Sequence, residues 1–456
     1  MIDIAMQDWL IVLGIAAAWT FFRAWTSGAG VGLVLTYVFS FTTLYWMAPL
    51  MYLLPWYDTP GHELTAVGLR EAAFGMMAFA IGTEIARPLV RRWTSALPTA
   101  EQLAPIDTRL TNLLLVTGAV LYLIVFPLAG FLPSVTAFVS TGSMVAVVAM
   151  SLKCWSAWHG GREPSMWGWM AATAVLPLIT VLGQGFLGYG FAAMLTIFAF
   201  VASFYRPRSV VVVAGVLLLY LGLSVYVTYM RDRRDIRAVV WTGGGMSERI
   251  GQIAGTVTTI EWFDPRDLRH LDRIDLRLNQ DYLMGASVVY LAGGSTQFAH
   301  GGTVWDAVIA LVPRAIWPNK PIIGGSGNLV SDYTGMRFAD DTSVGIGHVM
   351  EAYVNFGRTG VIVCFLIIGV VIASADGMSY AKLARGQGTD FLVRYLPALS
   401  LLTVGGSFAE LTSSGAAALV VALVIRRVGR GLRDRRTLPR VEAGDQPVTV
   451  GDGGEG

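Results

Sequence analysis

The chain has 456 residues, of which 54% are hydrophobic and 14% are charged, and its mean hydropathy is +0.57. A water-soluble domain cannot bury that much apolar surface, so the composition excludes the soluble classes and indicates an integral membrane protein. The formal net charge is only +2, and the basic residues are spread over short connectors. This distribution gives no basic surface for binding nucleic acid.

Apolar stretches near the length of a spanning helix recur along the chain. About eleven of them are predicted to cross the bilayer, which requires about 20 apolar residues each. They cover residues 9–22, 31–54, 66–86, 110–131, 134–152, 167–182, 186–205, 210–230, 358–375, 391–407 and 412–426. The predicted fold is therefore an all-α polytopic membrane protein.

Four regions follow from this pattern. An N-terminal transmembrane bundle of about eight helices occupies residues 1–230, and a large polar loop with interfacial helices occupies 231–357. C-terminal transmembrane helices follow at 358–428, and a basic, then disordered tail follows at 429–456. The first helix is expected to remain as an anchor, because no basic region precedes it.

Basic residues indicate the orientation, because they favour the cytoplasmic side of short connectors. They fall on alternate connectors, and the intervening ones at 55–65, 132–133, 183–185 and 409–411 contain neither lysine nor arginine. This places the N-terminus outside, the C-terminus in the cytoplasm and the large loop outside.

The first half of the loop opens with a mixed-sign run at 231–237, interpreted as an interfacial collar or as a solvated cap that ends the preceding helix. Residues 247–263 then predict an amphipathic helix that lies on the membrane. The segment 264–281 carries four arginines at spacings of three and four, which fall near one helical face: Arg266, Arg269, Arg273 and Arg277.

Two interpretations of this arginine stripe remain open. Four guanidinium groups on one face would bind a diphosphate. Interspersed Asp267, Asp272 and Asp275 would equally neutralise them as surface pairs, and the sequence slightly favours pairing for most of them.

The second half of the loop holds the sharper signal. In the sequence LVPRAIWPNKP at 311–321, three prolines stiffen the backbone and present Arg314 and Lys320. Arg337 follows, and the sequence GIGHVMEAYVNFGRTG leads into the next span. On a helix His348 and Glu351 share a face, and Tyr353 and Asn355 come after them. Ionisable groups at such depth are costly unless they are paired or used.

These segments resemble one protein family. Pro313-Arg314 with Trp317-Pro318-Asn319-Lys320-Pro321, followed by Gly347, the run EAYVNFG at 351–357 and Gly360, is similar to the Wzy-type oligosaccharide repeat-unit polymerases of O-antigen and exopolysaccharide synthesis. The motif similarity covers about fifty residues, the span from 313 to 360. The layout of many helices with one large loop in the C-terminal half is similar too.

The resemblance implies a GT-C-like architecture and a glycosyltransferase in the bacterial cytoplasmic membrane. The enzyme would polymerise undecaprenyl-diphosphate-linked oligosaccharide repeat units into O-antigen, capsule or exopolysaccharide on the extracytoplasmic face. Its partners would be these lipid-linked substrates, the bilayer, and flippase and chain-length regulator proteins, with no nucleic acid and no cofactor.

Such a transfer needs a base at the acceptor hydroxyl and positive charge at the departing diphosphate. His348 is the favoured base because its ordinary pKa of about 6.5 lies near neutrality, and Glu351 would replace or orient it. Arg314 is assigned to catalysis at the diphosphate. Substrate-binding roles are assigned to seven further residues: Arg337, Lys320, Arg273, Arg277, Tyr353, Asn355 and Glu410.

Plainer interpretations stand beside these roles. His348 would serve as a neutral, packed histidine, and Glu351 and Asn355 as helix caps or interhelical contacts. Neither Asp340-Asp341 nor the Asp272/Asp275 pair has the spacing of a cation cage, so a metal-independent enzyme is expected. The alternative functions are an O-antigen ligase-like transferase, a lipid-linked oligosaccharide transporter or flippase, and a non-enzymatic assembly subunit.

Overall fold

The computed structural model describes residues 2–94, 103–121, 136–205, 208–312, 317, 319–321, 325–338 and 344–437. Within these ranges the chain forms helices and contains no β-strand, so the predicted all-α class is confirmed. The first ten helices are α1 (Ile2–Ser27), α2 (Leu33–Tyr45), α3 (Met47–Met51), α4 (His62–Trp93), α5 (Thr108–Val120), α6 (Thr136–His159), α7 (Glu163–Ala172), α8 (Val175–Gln184), α9 (Gly188–Phe204) and α10 (Arg208–Trp241).

The remaining helices belong to the loop and the C-terminal part. They are α11 (Met246–Thr258), α12 (Leu268–Leu278), α13 (Gln280–Ala292), α14 (Gly302–Ala310), α15 (Ser326–Thr334), α16 (Gly347–Ala384), α17 (Gly388–Ala398), a 3₁₀ helix (Leu399–Leu402) and α18 (Phe408–Thr437).

Six stretches of the described helices are long and apolar enough to cross a membrane. They are Met6–Ser27, His62–Trp93, Glu163–Gln184, Arg208–Trp241, Gly347–Ala384 and Phe408–Val428. The apolar helices α2 and α9 are shorter, with 13 and 17 residues. The chain is thus a helical membrane protein, while the number eleven stays a prediction, since residues 122–135 of two predicted spans lie outside the described ranges.

Prolines divide two of the predicted spans. The stretch 31–54 splits after Tyr45, four residues before Pro49, and the stretch 167–182 splits at Thr173, four residues before Pro177. A proline ring clashes with the carbonyl group four residues earlier and removes an N–H donor, so the helix is interrupted at these places.

The charged run 231–237 does not end a helix, so the interpretation as a helix-ending cap is wrong, while the interfacial collar stays a prediction. The run lies inside α10, which continues to Trp241. Partners from other segments allow this continuation: Arg231 donates to Glu261, and the Arg237 guanidinium donates to the Gly185 carbonyl. Because these guanidinium groups have acceptors within the protein, the charged run is compatible with a continuous helix.

The amphipathic helix predicted at 247–263 is confirmed as α11 and is shorter than expected. Its apolar side chains Met246, Ile250 and Val257 are exposed along one side, at spacings of four and seven. An exposed apolar stripe of this kind suits the membrane interface.

Small residues bring the loop against the bundle. A side chain at Gly68 of α4 would clash with the backbone of Asp281 in α13, and one at Gly285 would clash with that of Leu64. These two glycines therefore permit close backbone contact between α4 and α13. The adjacent Tyr52 hydroxyl donates to Asp275 of α12 at 2.8 Å, which fixes α12 over the same end of the bundle.

Helix α16 contains a break that matters for the site. Phe356 and Gly357 leave helical geometry, and Gly357 has φ 63° and ψ −154°, a conformation that glycine adopts without steric cost. The stretch 347–355 before the break is almost entirely buried, whereas the part after it is a spanning helix. The break lies at the predicted boundary between the loop and the C-terminal helices.

Candidate functional site

His348 lies in the buried part of α16 and has no exposed surface. Its Nδ1 is 3.1 Å from the Tyr37 hydroxyl of α2, and its backbone N–H donates to the Val404 carbonyl. Its Nε2 is buried and has no hydrogen-bond partner among the described residues. An imidazole with one nitrogen held and the other without a partner is suited to exchange a proton once the second nitrogen is reached.

A cavity of about 370 Å³ lies next to this histidine, between α2, α6, α9 and the 3₁₀ helix. Thr36 and Ser40 contribute hydroxyl groups to its wall, and Tyr189 and Phe186 line it from the α8–α9 side. Thr403 also lines the cavity, and its backbone carbonyl lies beside the His348 ring. The imidazole therefore lies behind the cavity wall at Thr403.

Three arginines, here called the arginine cluster, meet where α10 and α12 end: Arg233, Arg237 and Arg277. Arg277 lies within electrostatic range of the other two. Burial lowers the pKa of Arg277, and the charge of Arg237 lowers it further. Neither Arg233 nor Arg237 forms an ion pair with a described carboxylate. Clustered guanidinium groups of this kind favour a bound anion such as a phosphate.

The arginine cluster borders the cavity through an aromatic residue. The Arg237 guanidinium lies 4.4 Å from the ring centroid of Phe186, which also lines the cavity. Its Nε donates to the Gly185 carbonyl at 3.4 Å, so the side chain is held in place and is 9% exposed. Cationic groups therefore stand at the rim of a cavity whose wall hides His348.

The sequence prediction named Arg277 and missed Arg233 and Arg237. Both missed residues lay in the run that was interpreted as a helix end. Had α10 been extended, the spacing of Tyr226, Tyr229, Arg233 and Arg237 would have placed all four on one helical face. Both tyrosines lie near Arg233, in agreement with that spacing.

Arg273, one turn before Arg277, has different surroundings. It donates to Glu261 at 2.6 Å, and Arg231 and His270 contact the same carboxylate at 3.1 and 3.3 Å. We call these four residues the Glu261 network. Hydrogen bonds from the arginines outweigh the effect of burial and lower the pKa of Glu261. Arg273 is thus paired within the protein, but its partner is Glu261 and not one of the interspersed aspartates that the surface-pair interpretation named.

Other charged residues of α12 also have partners within the protein. Arg269 pairs with Asp267 at 2.7 Å, and this contact holds the pKa of Asp267 at about 2. Asp272 and Asp275, expected to neutralise arginines, accept hydrogen bonds from Tyr57 and Tyr52. Burial raises the pKa of Asp275 despite these donors.

Glu351 and Asn355 join separate helices. Glu351 accepts the backbone N–H of Phe408 at 2.6 Å, at the start of α18. Asn355 accepts from the Gly301 N–H and donates to the Thr303 hydroxyl, which ties α14 to the broken helix. These are the capping and interhelical contacts that the sequence left open. The other Glu351 oxygen, Oε1, is buried without a partner among the described residues.

The other predicted residues are dispersed. Arg337 is exposed, the Lys320 ammonium donates to the Val312 carbonyl at 3.1 Å, and Glu410 accepts from the Ser407 N–H and the Ser326 hydroxyl. Arg314 lies outside the described residues, and so do Asp340 and Asp341. In the described part of the chain, no group of three or more His, Cys, Asp or Glu residues suits a metal ion.

Tyr353 lies near an ion pair with a buried carboxylate, which the sequence did not predict. Glu71 of α4 has no exposed side-chain surface and accepts from Arg358 at 2.7 and 2.9 Å and from Arg70 at 3.0 Å. The pair joins α4 to the first turn after the break in α16. It fixes the position at which the buried half of α16 turns into the spanning half.

Comparisons with known proteins place the chain in a family. No curated protein and no solved structure matches it. The sequence profile of one family, described as a domain of unknown function (DUF8712), matches residues 93–377, more than half of the chain. The match contains α5 to α15 and the buried half of α16, and so it includes the arginine cluster and the Glu261 network. The chain therefore belongs to the DUF8712 family.

Proposed function

We propose that the protein is a membrane glycosyltransferase that polymerises undecaprenyl-diphosphate-linked oligosaccharide repeat units into O-antigen, capsule or exopolysaccharide. The arginine cluster at the rim of the cavity beside His348 carries the proposal. The resemblance of residues 313–360 to the Wzy-type polymerases supports it independently.

In the proposed reaction, a hydroxyl oxygen of the acceptor sugar attacks the anomeric carbon of the lipid-linked donor. The bond from that carbon to the diphosphate oxygen breaks, and the diphosphate leaves with the bonding electron pair. His348 Nε2 accepts the hydroxyl proton, and the Tyr37 hydroxyl holds the other ring nitrogen. Arg233, Arg237 and Arg277 stabilise the charge that develops on the leaving diphosphate.

The reaction requires a movement of the protein. His348 is fully buried, so the Leu402–Thr403 wall has to shift before the acceptor can reach the imidazole. Closure around a lipid-linked substrate would also exclude water, which would otherwise hydrolyse the donor.

A test uses purified protein in vesicles with a lipid-linked repeat unit, and polymer length and rate are measured by gel. Arg277→Gln and His348→Gln are each expected to lower the rate by about 100-fold or more. Arg269→Gln is the matched control, since it removes the same charge from an exposed position of the same helix, and its rate should stay near normal. Normal polymer formation by both site variants, with normal melting temperatures, would overturn the proposal.

A transporter of lipid-linked oligosaccharide is the second candidate. The broken helix α16, with His348 and Glu351 buried in its short half, favours it, because transporters often build binding sites from interrupted helices. The same vesicles distinguish the two: movement of the lipid-linked unit across the bilayer without coupling indicates a transporter. A ligase would couple the glycan to a different acceptor and leave repeat units unpolymerised.

A further inference from the structure

A cavity of about 690 Å³ lies at the opposite end of the bundle from the arginine cluster. It is enclosed by the last turns of α1 and α4, the start of α2 and the later part of α16. The basic-residue pattern predicts that this end faces the cytoplasm. The lining residues on which the inference rests are Arg23, Arg87, Arg91, Thr20, Thr26 and Asp376.

The charges of this cavity do not balance. Glu84 is shared between Arg23 and Arg87, with a distance of 3.3 Å to each. Arg91 is exposed and forms no ion pair in the part of the chain that the structure describes. Two of the three guanidinium groups therefore share one carboxylate at the α1–α4 contact, and several N–H donors of the three groups remain available to a ligand.

Asp376, the other carboxylate of the cavity, is occupied by the backbone. Its Oδ1 accepts from the N–H groups of Val31 and Leu33 at 3.0 and 2.8 Å, so it caps the first turn of α2 from α16. Among the described residues, Asp376 forms no ion pair with these arginines. Even when its charge is included, the cavity keeps a net positive charge of about one, the condition under which it attracts an anion.

An apolar groove meets the cavity at the Arg23–Glu84 pair. The groove has a volume of about 570 Å³ and lies between α1 and α4, with Glu84 at its end and the exposed side chains of Trp19, Ile81 and Ile85 along it. The Arg23 guanidinium lies over the Trp19 ring at 5.6 Å from the centroid. A cationic cavity joined to a bilayer-facing apolar groove matches a ligand with an anionic head and a hydrocarbon chain.

We infer that this cavity binds the phosphate group of an anionic membrane lipid. The guanidinium groups of Arg23, Arg87 and Arg91 donate to the phosphate oxygens, and the hydroxyl groups of Thr20 and Thr26 border the same space. An acyl chain of the lipid lies along the groove. The inference does not depend on the proposed transferase activity, because the cavity lies at the other end of the bundle.

The test measures lipid retention by native mass spectrometry and melting temperature in neutral detergent, with phosphatidylglycerol, phosphatidylcholine or inorganic phosphate added. Phosphatidylglycerol is expected to bind and to raise the melting temperature, and the other two are not. Arg91→Gln and Arg23→Gln should each weaken phosphatidylglycerol binding by about five-fold, in keeping with the usual contribution of one arginine near an anionic headgroup.

Arg92→Gln is the matched control, because Arg92 is the exposed neighbour of Arg91, carries the same charge and does not line the cavity. Its binding of phosphatidylglycerol should equal that of the wild type. An equal response to inorganic phosphate would assign the cavity to a soluble anion and overturn the lipid assignment. Unchanged lipid binding in both cavity variants would overturn the site itself.

Discussion

One turn of α12 separates two arginines whose surroundings differ completely. Arg273 belongs to the Glu261 network, in which two arginines and a histidine surround one carboxylate. Arg277 lies beside Arg233 and Arg237, two arginines that form no ion pair with any described carboxylate. Both regions use the same two helices, and the Glu261 carboxylate pairs with Arg231 and Arg273 and forms no ion pair with Arg233 or Arg237.

The difference also explains why arginine spacing alone did not locate the site. A stripe at spacings of three and four predicts a shared helical face and says nothing about what the opposite segment supplies. Here Glu261 reaches the stripe from the segment between α11 and α12, and Arg233 and Arg237 reach it from α10. Charge balance around a stripe is a property of the packed structure.

The largest expected effect comes from a substitution that introduces a carboxylate into the arginine cluster. Arg233→Glu would place one beside Arg237 and Arg277, and transfer of lipid-linked repeat units is expected to fall by about 100-fold or more, since the cluster would no longer attract a diphosphate. The melting temperature should rise slightly, because like charges become opposite ones. Rate and melting temperature are measured on the same preparation.

Arg234→Glu is the control for that variant. Arg234 is exposed, lies next to Arg233 and undergoes the same change of charge. It should retain transfer close to the wild-type rate. If both glutamate variants lose activity equally, the loss reflects net charge at the membrane surface, and the cluster has no special role.

The converse change removes the carboxylate from the Glu261 network. Glu261→Gln leaves Arg231 and Arg273 without their shared partner, and the expected loss of stability is about 1–3 kcal/mol. Because the folded-state pKa of Glu261 is lowered, its contribution is present above the ordinary carboxyl pKa and is lost as the pH falls through the folded value. Melting temperature and hydrogen exchange of α12 measure the effect.

Glu248→Gln is the matched control in this case, since Glu248 is an exposed glutamate of the neighbouring helix α11. It should leave the exchange of α12 unchanged. Equal protection of α12 in wild type and Glu261→Gln at neutral pH would contradict the network's role in holding α12 on α10.

The sequence predicted the helical membrane class and the amphipathic α11, because both depend on composition and periodicity within one segment. It predicted the arginine stripe of α12 but not the end of α10, since the continuation of that helix depends on the Gly185 carbonyl and Glu261, which are distant in sequence. The buried state of His348 depends on packing against Tyr37 and Phe408 from two other helices. No local pattern contains that information.

Asp281 contrasts with Glu261, because it forms no ion pair with a cation of the described residues. It is fully buried at the start of α13, and neither of its oxygens has a hydrogen-bond partner among the described residues. Burial raises its pKa well above the ordinary value of 3.8. A raised folded-state pKa gives stability that is complete below the unfolded pKa and is lost as the pH rises through the folded one.

Asp281→Asn removes this titration while keeping the shape of the side chain. Below about pH 3, wild type and variant should melt at similar temperatures, because the wild-type carboxyl is then neutral in both the folded and the unfolded state. Above that pH the variant should become more stable, by about 1 kcal/mol, the lower part of the range for a buried polar group left without a partner. Glu261→Gln has the opposite trend, since its deficit grows toward neutral pH. A constant difference between wild type and Asp281→Asn from about pH 3 to about pH 8 would show that Asp281 has a partner when the protein is in a bilayer. The positions of carboxylates within the protein alone would then not explain how the Glu261 network and the arginine cluster differ, and that partner would have to be included.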